Sequence, residues 1–288
     1  ILNGFTAPVL ATTECYALFS SDGTITNTDV SMVTGDIGSN VGLTSGFTAT
    51  NVIGTIHVNP DASTANASTE LTSVMLYLNN VTPDIELMFP AQVGNKLTLT
   101  PHTYTLNAAT VLTDTLFLNA QNNANATFLF KSNGALSSSA NAKVVLQNGA
   151  QARNVYWLID GNIILASNTE MKGIVISNVG TIDLGANAKL DGRALTTAGA
   201  ITTNSVTIVK PSGCTATGLK EVNAVNAISI YLNPFHTSLC INLNTTSTLD
   251  NTELVIYHVL GEVVMTSALG KQMTTVNTSE LTAGCYFY

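Results

Sequence analysis

The chain has 288 residues, of which 10% are charged and 45% are apolar, and its formal net charge is −8. This length favours one large domain or two smaller ones, and the apolar content is sufficient for a core. The chain lacks the basic character that nucleic-acid binding needs. No apolar run reaches the roughly 18 residues of a membrane-spanning helix. Because only 10% of the residues are charged, we expect a surface that is polar without being ionic.

The N-terminal part of the chain predicts strands followed by one helix. Residues 1–13 show no regular pattern and predict a loose arm, whereas residues 16–58 favour strands punctuated by glycines. The pattern changes at Asn59-Pro60-Asp61, which is typical of a helix start. Apolar residues then recur at helical spacing: Ala67, Leu71, Val74, Met75 and Leu78. They predict an amphipathic helix over about residues 60–80, and residues 97–118 return to strands.

An internal repeat occupies residues 127–209. One apolar column has steps of 27, 19 and 19 residues: Leu136, Ile163, Ile182 and Ile201. A second column contains Leu129, Tyr156, Val175 and Leu195, and a third contains Val144, Met171, Leu190 and Ile208. Three columns with nearly the same period predict a solenoid with three strands in each coil. The longer first step indicates an insertion, most simply around residues 148–151.

The three columns predict faces of different chemistry. Around Leu129, apolar residues stand at successive positions, so both sides of those strands should be covered. The predicted helix is the natural cover. Around Val144, apolar residues alternate with Lys and Gln, which is typical of a solvated face. Around Leu136, the flanking residues are small and mostly uncharged, so this face should be flat and open.

The outward positions beside the Leu136 column are the candidate functional residues. They are Ala135 and Ser137, Asn162 and Ile164, Thr181 and Asp183, and Ala200 and Thr202. One coil upstream, Ala108 and Thr110 fall in the same two rows. Asp183 puts a charge in this set and Ile164 puts a large apolar group there.

The four cysteines are Cys15, Cys214, Cys240 and Cys285. Neither they nor the four scattered His residues have metal-ligand spacing, so we expect no metal site and no cofactor. An even count permits two disulfides in an exported protein. Because two cysteines fall in each apparent domain, Cys15–Cys214 with Cys240–Cys285 is the economical pairing. Free structural thiols are the alternative.

The composition changes after Cys214. Residues 215–227 predict a polar linker, and residues 228–288 predict a second domain with its own core. The first domain is then residues 1–214.

Residues 16–210 resemble the bacterial and fungal ice-binding protein family with the discontinuous β-solenoid fold. The resemblance rests on blocks in the family's order: Thr34-Gly35-Asp36-Ile37-Gly38, Gly54-Thr55-Ile56-His57, residues 97–104, Phe128-Leu129-Phe130, residues 148–157, and Gly192-Arg193-Ala194-Leu195. It implies a right-handed, three-sided β-solenoid with the long helix along one face. It also implies that the N-terminal strands lie beside the last coils, and that Arg193 makes a structural hydrogen bond.

The same resemblance implies adsorption to ice through one flat face and adjoining loops. The candidate ice-contact set is completed by Thr24, Thr26, Thr48 and Thr50. The segment Thr48-Ala49-Thr50-Asn51 is similar to a Thr-Ala-x-Asn pattern on the ice face of some relatives. The resemblance implies ice as the partner and no catalytic residues, and we expect a monomer.

Residues 228–288 are similar to the C-terminal sorting domain of type IX secretion, a small β-sandwich that the export machinery recognises. The resemblance rests on Asn233-Pro234-Phe235, residues 254–264 and residues 281–287. It implies an extracellular protein, released or attached to the cell surface, with the secretion machinery as a second partner. That family continues into a basic end, so we expect the module to be truncated at Tyr288. A generic β-sandwich for adhesion is the alternative.

Two other functional classes compete with ice binding. A polysaccharide lyase is also a triangular solenoid, but it needs clustered acidic residues and a basic catalytic group, whereas the coil carboxylates here are isolated. A solenoid adhesin or polysaccharide-binding protein would place exposed aromatic residues on the flat face, and the rows contain none.

Overall fold

The structure is a computed structural model that describes residues 2–87, 92–211, 214, 228–231, 236–243, 253–269 and 273–288. The chain divides into two compact units, residues 1–218 and 219–288. The linker expected over residues 215–227 lies outside the described residues.

The first unit consists of short strands and, among the described residues, one α-helix. Its N-terminal strands are β1 (Tyr16–Ser20), β2 (Ile25–Thr28), β3 (Met32–Thr34), β4 (Asp36–Ser39), β5 (Thr44–Ser45) and β6 (Val52–Ile53). The helix α1 (Ala62–Asn80) follows. The next strands are β7 (Ile85–Leu87), β8 (Gln92–Gly94), β9 (Leu97–Leu99), β10 (Thr103–Leu106), β11 (Thr110–Thr113), β12 (Thr115–Asn119), β13 (Phe128–Ser132), β14 (Leu136–Ser138) and β15 (Lys143–Gln147). The last are β16 (Val155–Ile159), β17 (Ile163–Leu165), β18 (Glu170–Ser177), β19 (Ile182–Leu184), β20 (Lys189–Thr196), β21 (Ile201–Asn204) and β22 (Thr207–Val209). Two 3-10 turns occur at Ala11–Cys15 and Ala152–Asn154.

These strands stack in parallel into three faces. The open face is an eight-stranded sheet in the order β5-β2-β21-β19-β17-β14-β11-β8. The helix face contains β1, β4, β7, β10, β13, β16 and the second halves of β18 and β20. The third face contains β3, β6, β9, β12, β15, β22 and the first halves of β18 and β20.

The chain does not fill the coils in order. On the open face, β2 pairs with β21, so the N-terminal strands stack beyond the last coil of the repeat. The helix α1 has 19 residues, a length of roughly 28 Å. It carries the chain from this end back to β7 at the other end, which confirms the discontinuous order that the resemblance implies.

The paired residues test the predicted columns. The first column is confirmed, because Leu136 pairs with Ile163, Ile163 with Ile182 and Ile182 with Ile201. The third is also confirmed, since Met171 pairs with Leu190 and Leu190 with Ile208.

The second predicted column is wrong in its last two members. Val175 pairs with Trp157 rather than with Tyr156, and Leu195 pairs with Ile176. On this face the residues pointing inward and outward are both apolar, so the sequence shows no alternation that would fix the register.

The helix α1 covers the helix face as expected. The carboxylate of its N-cap, Asp61, accepts a hydrogen bond from the backbone N–H of Ser63 at 2.6 Å, which satisfies one of the free donors of the first turn. All the predicted apolar positions of the helix are buried: Ala67, Leu71, Val74, Met75 and Leu78. They form one cluster with residues of the helix face, including Leu129, Tyr156 and Ile174. Among the described residues, no helix has the length and apolar character that crossing a membrane requires.

Inside the coils, side chains of like type stack on one another. The rings of Tyr104, Phe130 and Trp157 lie on successive strands, with centroid distances of 5.2 Å and 4.1 Å. The indole N–H of Trp157 donates to the carbonyl oxygen of Lys172 at 2.9 Å. Burial of aromatic rings in offset stacks contributes to the core beyond the area that they bury.

The change in repeat length has a structural cause at one corner. Strands β18 and β20 continue from the third face to the helix face through Gly173 and Gly192, whose φ values are 112° and 159°. A Cβ atom on Gly192 would lie 1.8 Å from the carbonyl oxygen of Gly173, so a side chain cannot fit there. Between β15 and β16, residues 148–154 form a loop at this corner instead. This loop is the insertion that the longer step of the repeat predicts.

The ends of the first unit are fastened together. Cys15 and Cys214 form a disulfide with a Cα–Cα distance of 4.8 Å, which confirms the first predicted pair. Beside it, the buried guanidinium of Arg193 donates to the carbonyl oxygens of Glu14, at 2.7 Å, and Pro211, at 3.4 Å. Its role is structural, as the resemblance implies.

The loose arm expected at residues 1–13 is wrong for its described part. The backbone N–H of Thr127 donates to the carbonyl oxygen of Asn3 at 3.0 Å. The hydroxyl of Tyr77 donates to the carbonyl oxygen of Thr6 at 2.8 Å. The arm is therefore held by both the coils and the helix.

The second unit contains β23 (Ile228–Tyr231), β24 (Ser238–Leu243), β25 (Glu253–His258), β26 (Val263–Ala268), β27 (Met273–Asn277) and β28 (Tyr286–Phe287). They form two antiparallel sheets, β23-β24-β27 and β26-β25-β28. Buried residues of both sheets make one cluster: Leu239, Ile241, Leu254, Ile256, Leu269 and Val276. This is the packing of a β-sandwich.

The predicted Cys240–Cys285 disulfide is wrong, because both thiols are free. Cys240 lies on β24 of the first sheet, whereas Cys285 is exposed next to β28 of the second sheet. The pairing was predicted because both cysteines fall in the same small domain, and that is not sufficient to place their sulfur atoms in contact.

Candidate functional site

The open face presents two outward rows of side chains. Row one follows the strand pairing: Ser45, Thr26, Thr202, Asp183, Ile164, Ser137, Val111 and Gln92. Row two precedes the inward residues and is set by backbone hydrogen bonds from each coil to the next: Leu43, Thr24, Ala200, Thr181, Asn162 and Ala135. All of these residues are exposed or half-buried. Paired strands place such side chains about 4.7–4.9 Å apart along each row.

The inward neighbours explain why these residues face outward. Ile25, Ile201, Ile182, Ile163 and Leu136 are buried in the core between the two rows. On β2, β14, β19 and β21 a polar or small outward residue therefore alternates with a branched apolar inward residue, and a shift of one residue would reverse these side chains. The core column thus fixes the rows.

The rows are almost free of charge, and Asp183 is the one ionisable residue in them. The hydroxyls of Thr24, Thr26 and Thr181 make no hydrogen bond to the described part of the protein, so they are available to water. Thr202 differs, because its hydroxyl donates to Oδ1 of Asp183 at 2.7 Å. The backbone N–H of Thr181 is held by Oδ1 of Asn162 at 3.0 Å.

Two predicted row members, Ala108 and Thr110, are wrong. Thr110 pairs with the inward residue Leu136, not with Ser137, so the step here is 26 residues rather than 27. Thr110 is 1% exposed, and its hydroxyl lies 3.2 Å from that of Ser132. This partner permits Thr at an inward position, where a lone hydroxyl would be costly. Ala108 packs against the core, and Val111 takes the place in row one.

Two further candidates, Thr48 and Thr50, are exposed but lie outside the rows. They belong to the turn between β5 and β6, where the backbone N–H of Asn51 donates to the carbonyl oxygen of Thr48 at 3.0 Å. Their hydroxyls are 3.1 Å apart. On this coil the row positions belong to Leu43 and Ser45, which sequence reasoning missed because β5 has only two residues.

The third face has a different surface. Glu170 lies 3.4 Å from Lys143 and 3.7 Å from Lys189, and Lys172 lies 3.3 Å from Asp191. Exposed pairs of this kind contribute little to stability, but they hold water by charge. This face was expected to be solvated, and it contrasts with the open face of the same coils.

A titratable cluster lies at the N-terminus of α1, away from the rows. His57 Nδ1 is 2.9 Å from Asp61 Oδ2, and His57 Nε2 is 3.5 Å from Asp36 Oδ2. Burial alone would lower the pKa of His57, but the two carboxylates outweigh burial and raise this pKa. The pKa values of Asp36 and Asp61 are lowered, because the bonds from His57 and from backbone N–H groups outweigh burial. Across the described residues, no group of three or more His, Cys, Asp or Glu side chains is arranged to hold a metal.

Residues 19–209, more than half of the chain, match the family described as ice-binding-like. The chain belongs to the ice-binding-like family. Residues 229–288 match the secretion system C-terminal sorting domain. The ice-binding-like family and this sorting domain together indicate an extracellular protein, secreted or attached to the cell surface, where a disulfide such as Cys15–Cys214 persists.

Relatives in the ice-binding-like family include solved structures. The crystal structure of an ice binding protein from an Antarctic bacterium, Flavobacteriaceae, is 50% identical with a TM-score of 0.73, over 74% of this chain and 50% of that one. The DUF3494 domain of Shewanella frigidimarina ice-binding protein 1 is 25% identical with a TM-score of 0.64, over 74% of this chain and 100% of that one.

A curated relative, the ice-binding protein of Nostoc sp. (strain HG1), is 32% identical over 54% of this chain and 56% of its own length. The chain spans between 10% and 62% of the length of the curated relatives it matches.

Proposed function

We propose that this protein adsorbs to ice through the open face and so inhibits ice growth and recrystallisation. The observation that carries the proposal is the pair of nearly uncharged, regularly spaced rows, whose members are exposed or half-buried on a sheet that no other described part of the first unit covers. The relatives named above as ice-binding proteins support the same function.

The chemistry of the rows favours ordered water. The Thr residues are β-branched and stiff at χ1, so their methyl and hydroxyl groups have set directions before binding. Small uncharged side chains hold first-shell water less tightly than charges do. Water on such rows can take an ice-like arrangement at a low ordering cost and join the crystal. Growth between adsorbed molecules then curves the ice front, which lowers its local freezing point.

The proposed partners follow from the two units. The first unit binds ice as a monomer, and the second unit is recognised by the secretion machinery. We propose no catalytic role, since the coil carboxylates are engaged separately: Asp160 accepts from Asn178, Asp183 from Thr202 and Asp191 from Lys172. The rows contain no aromatic residue that would favour a glycan-binding adhesin instead.

One pair of variants tests the proposed surface. Thr202 and Thr207 are exposed residues of the same coil, on β21 of the open face and β22 of the third face. Thr202→Tyr should abolish ice faceting at concentrations at which the parent protein shapes crystals, because the ring lifts the flat face from the ice. Thr207→Tyr should shape ice like the parent. Both should keep the parental circular dichroism spectrum. Equal shaping by both variants would exclude the open face.

A further inference from the structure

Asp183 occupies the middle of row one and makes a specific contact there. On one side its Oδ1 accepts the 2.7 Å hydrogen bond from Thr202, which is its paired residue on the next coil, 19 residues later. On the other side its neighbour is Ile164, which offers no hydrogen-bonding side chain. Within the described part of the two rows, this is the only hydrogen bond between two side chains.

The contact changes what Thr202 presents to water. A Thr hydroxyl that donates to a neighbouring carboxylate points toward it, and its oxygen can then only accept hydrogen bonds from water. The methyl group is fixed at the same time, because both groups turn together about χ1. By contrast, no partner among the described residues sets the hydroxyl directions of Thr24, Thr26 and Thr181.

Resting on the proposed function, we infer that Asp183 is a positioning residue of the ice-contact surface, acting through Thr202. Its carboxylate fixes the Thr202 side chain before ice is met, so this ordering is not required during adsorption. The opposite view is that Asp183 is a defect, a charge that keeps water out of an ice-like arrangement. The two views predict opposite signs when the carboxylate is removed.

The test is a double-mutant cycle on Asp183 and Thr202, measured by thermal hysteresis and melting temperature. Asp183→Ala should lower the hysteresis at a given concentration by at least about twofold, since an immobilisation cost returns. Asp183→Asn keeps an oxygen acceptor without the charge and should retain most of the activity. In a Thr202→Val background, Asp183→Ala should cause no further loss. The melting temperature should stay at the parental value throughout.

Several outcomes would overturn the inference. Hysteresis of Asp183→Ala at or above the parental value would support the defect view. An equal loss from Asp183→Ala in the Thr202→Val background would show that Asp183 acts independently of Thr202. An Asp183→Asn variant as weak as Asp183→Ala would assign the effect to the charge rather than to the acceptor.

A second measurement separates this inference from the proposed function. The χ1 angle of Thr202 can be read from three-bond couplings in solution, without ice. It should be a single rotamer in the parent and in Asp183→Asn, and an average in Asp183→Ala. An averaged χ1 in the parent overturns the inference even if the parent shapes ice. A parent that fails to shape ice overturns the proposed function.

Discussion

The helix face and the open face are made by the same coils, yet they have opposite outward chemistry. On the helix face the outward residues are large and apolar, as in Leu129, Tyr156 and Ile174, and α1 buries them. On the open face the corresponding residues are mostly small or polar, with scattered apolar residues among them. Row members such as Thr181 and Thr202 are exposed.

Within one repeat, this difference separates the face that contributes stability from the face for which we propose ice contact. Both faces share strand spacing and coil register, so backbone geometry alone does not decide what a face does. The helix face adds a second apolar cluster outside the coils, which contributes free energy of folding through area removed from water. The open face forgoes that contribution, and its rows remain accessible to water.

Placing a charge between α1 and the helix face should cause the largest loss of stability among the variants considered. Met75 is 7% exposed in the cluster between α1 and the coils. Met75→Asp should lower the free energy of unfolding by on the order of 3 kcal/mol or more, because a carboxylate is buried without a partner. Thermal melting followed by circular dichroism measures it.

The neighbouring residue provides the matched control. Leu76 is 61% exposed on the same helix, and Leu76→Asp should leave the melting temperature within about a degree or two of the parent. Similar losses for both variants would mean that the effect comes from helix propensity rather than from the helix face.

Removing the disulfide should be the next largest effect. Cys15 and Cys214 are separated by 199 residues, so the bond restricts the unfolded chain strongly. Cys15→Ser with Cys214→Ser should cost about 2–5 kcal/mol, measured by denaturant unfolding without reductant. Ice shaping below the melting temperature should persist, because neither residue lies in the rows.

The free thiols of the second unit give the control for the disulfide prediction. Cys240→Ser with Cys285→Ser removes two cysteines without removing a bond, so the stability of the first unit should not change. A loss as large as that from the Cys15 and Cys214 pair would contradict the disulfide assignment.

The cluster at the start of α1 should make stability depend on pH. The pKa of His57 is raised in the folded state, so its contribution is complete below the unfolded value of about 6.5 and is lost as pH rises through the folded pKa. The pKa values of Asp36 and Asp61 are lowered, so their contributions are present above about 4 and are lost as pH falls below it. Stability should therefore be greatest in the window between these limits.

Substitution of His57 tests that dependence on the alkaline side. In the parent, the free energy of unfolding should fall as pH rises from the middle of the window through the folded pKa of His57, which is raised. His57→Gln should remove this slope, and Asp36→Asn should reduce it. A parental slope in His57→Gln would assign the pH dependence to other groups.

The sequence predicted the open face better than the helix face for a physical reason. Ile182 and Ile201 alternate with small or polar neighbours, so only one register buries them, and the column that they form with Ile163 was correct. Around Val175 and Leu195 both sides of the strand are apolar. Either register buries apolar residues there, and the structure places Val175 in the core of the coils but Leu195 in the cluster under α1.

The candidate site was predictable except where the coil changes length and on the short strand β5, where Leu43 and Ser45 were missed. Thr202, Thr181 and Thr24 follow from their inward neighbours. Thr110 was misplaced because its coil is one residue shorter than assumed, and because Ser132 satisfies a hydroxyl in the core. The contact between Asp183 and Thr202 could be suspected from their adjacent places in one row, but the direction of the side chains comes only from the structure.

The smallest effect is expected from removing the second unit. The two units have separate apolar clusters, and the second matches a sorting domain, so we propose that the first unit carries ice binding alone. A chain ending at Gly218 keeps Cys214 and should match the full chain in ice shaping and in the melting of the first unit. A chain ending at Pro211 also loses the disulfide, so it should melt at a lower temperature while still shaping ice when folded.

If the chain ending at Gly218 is folded but inactive, the second unit contributes to the ice-contact surface, and the division of roles between the two units is wrong. If only the shorter chain is weakened, and only in its melting temperature, the loss belongs to the Cys15–Cys214 bond.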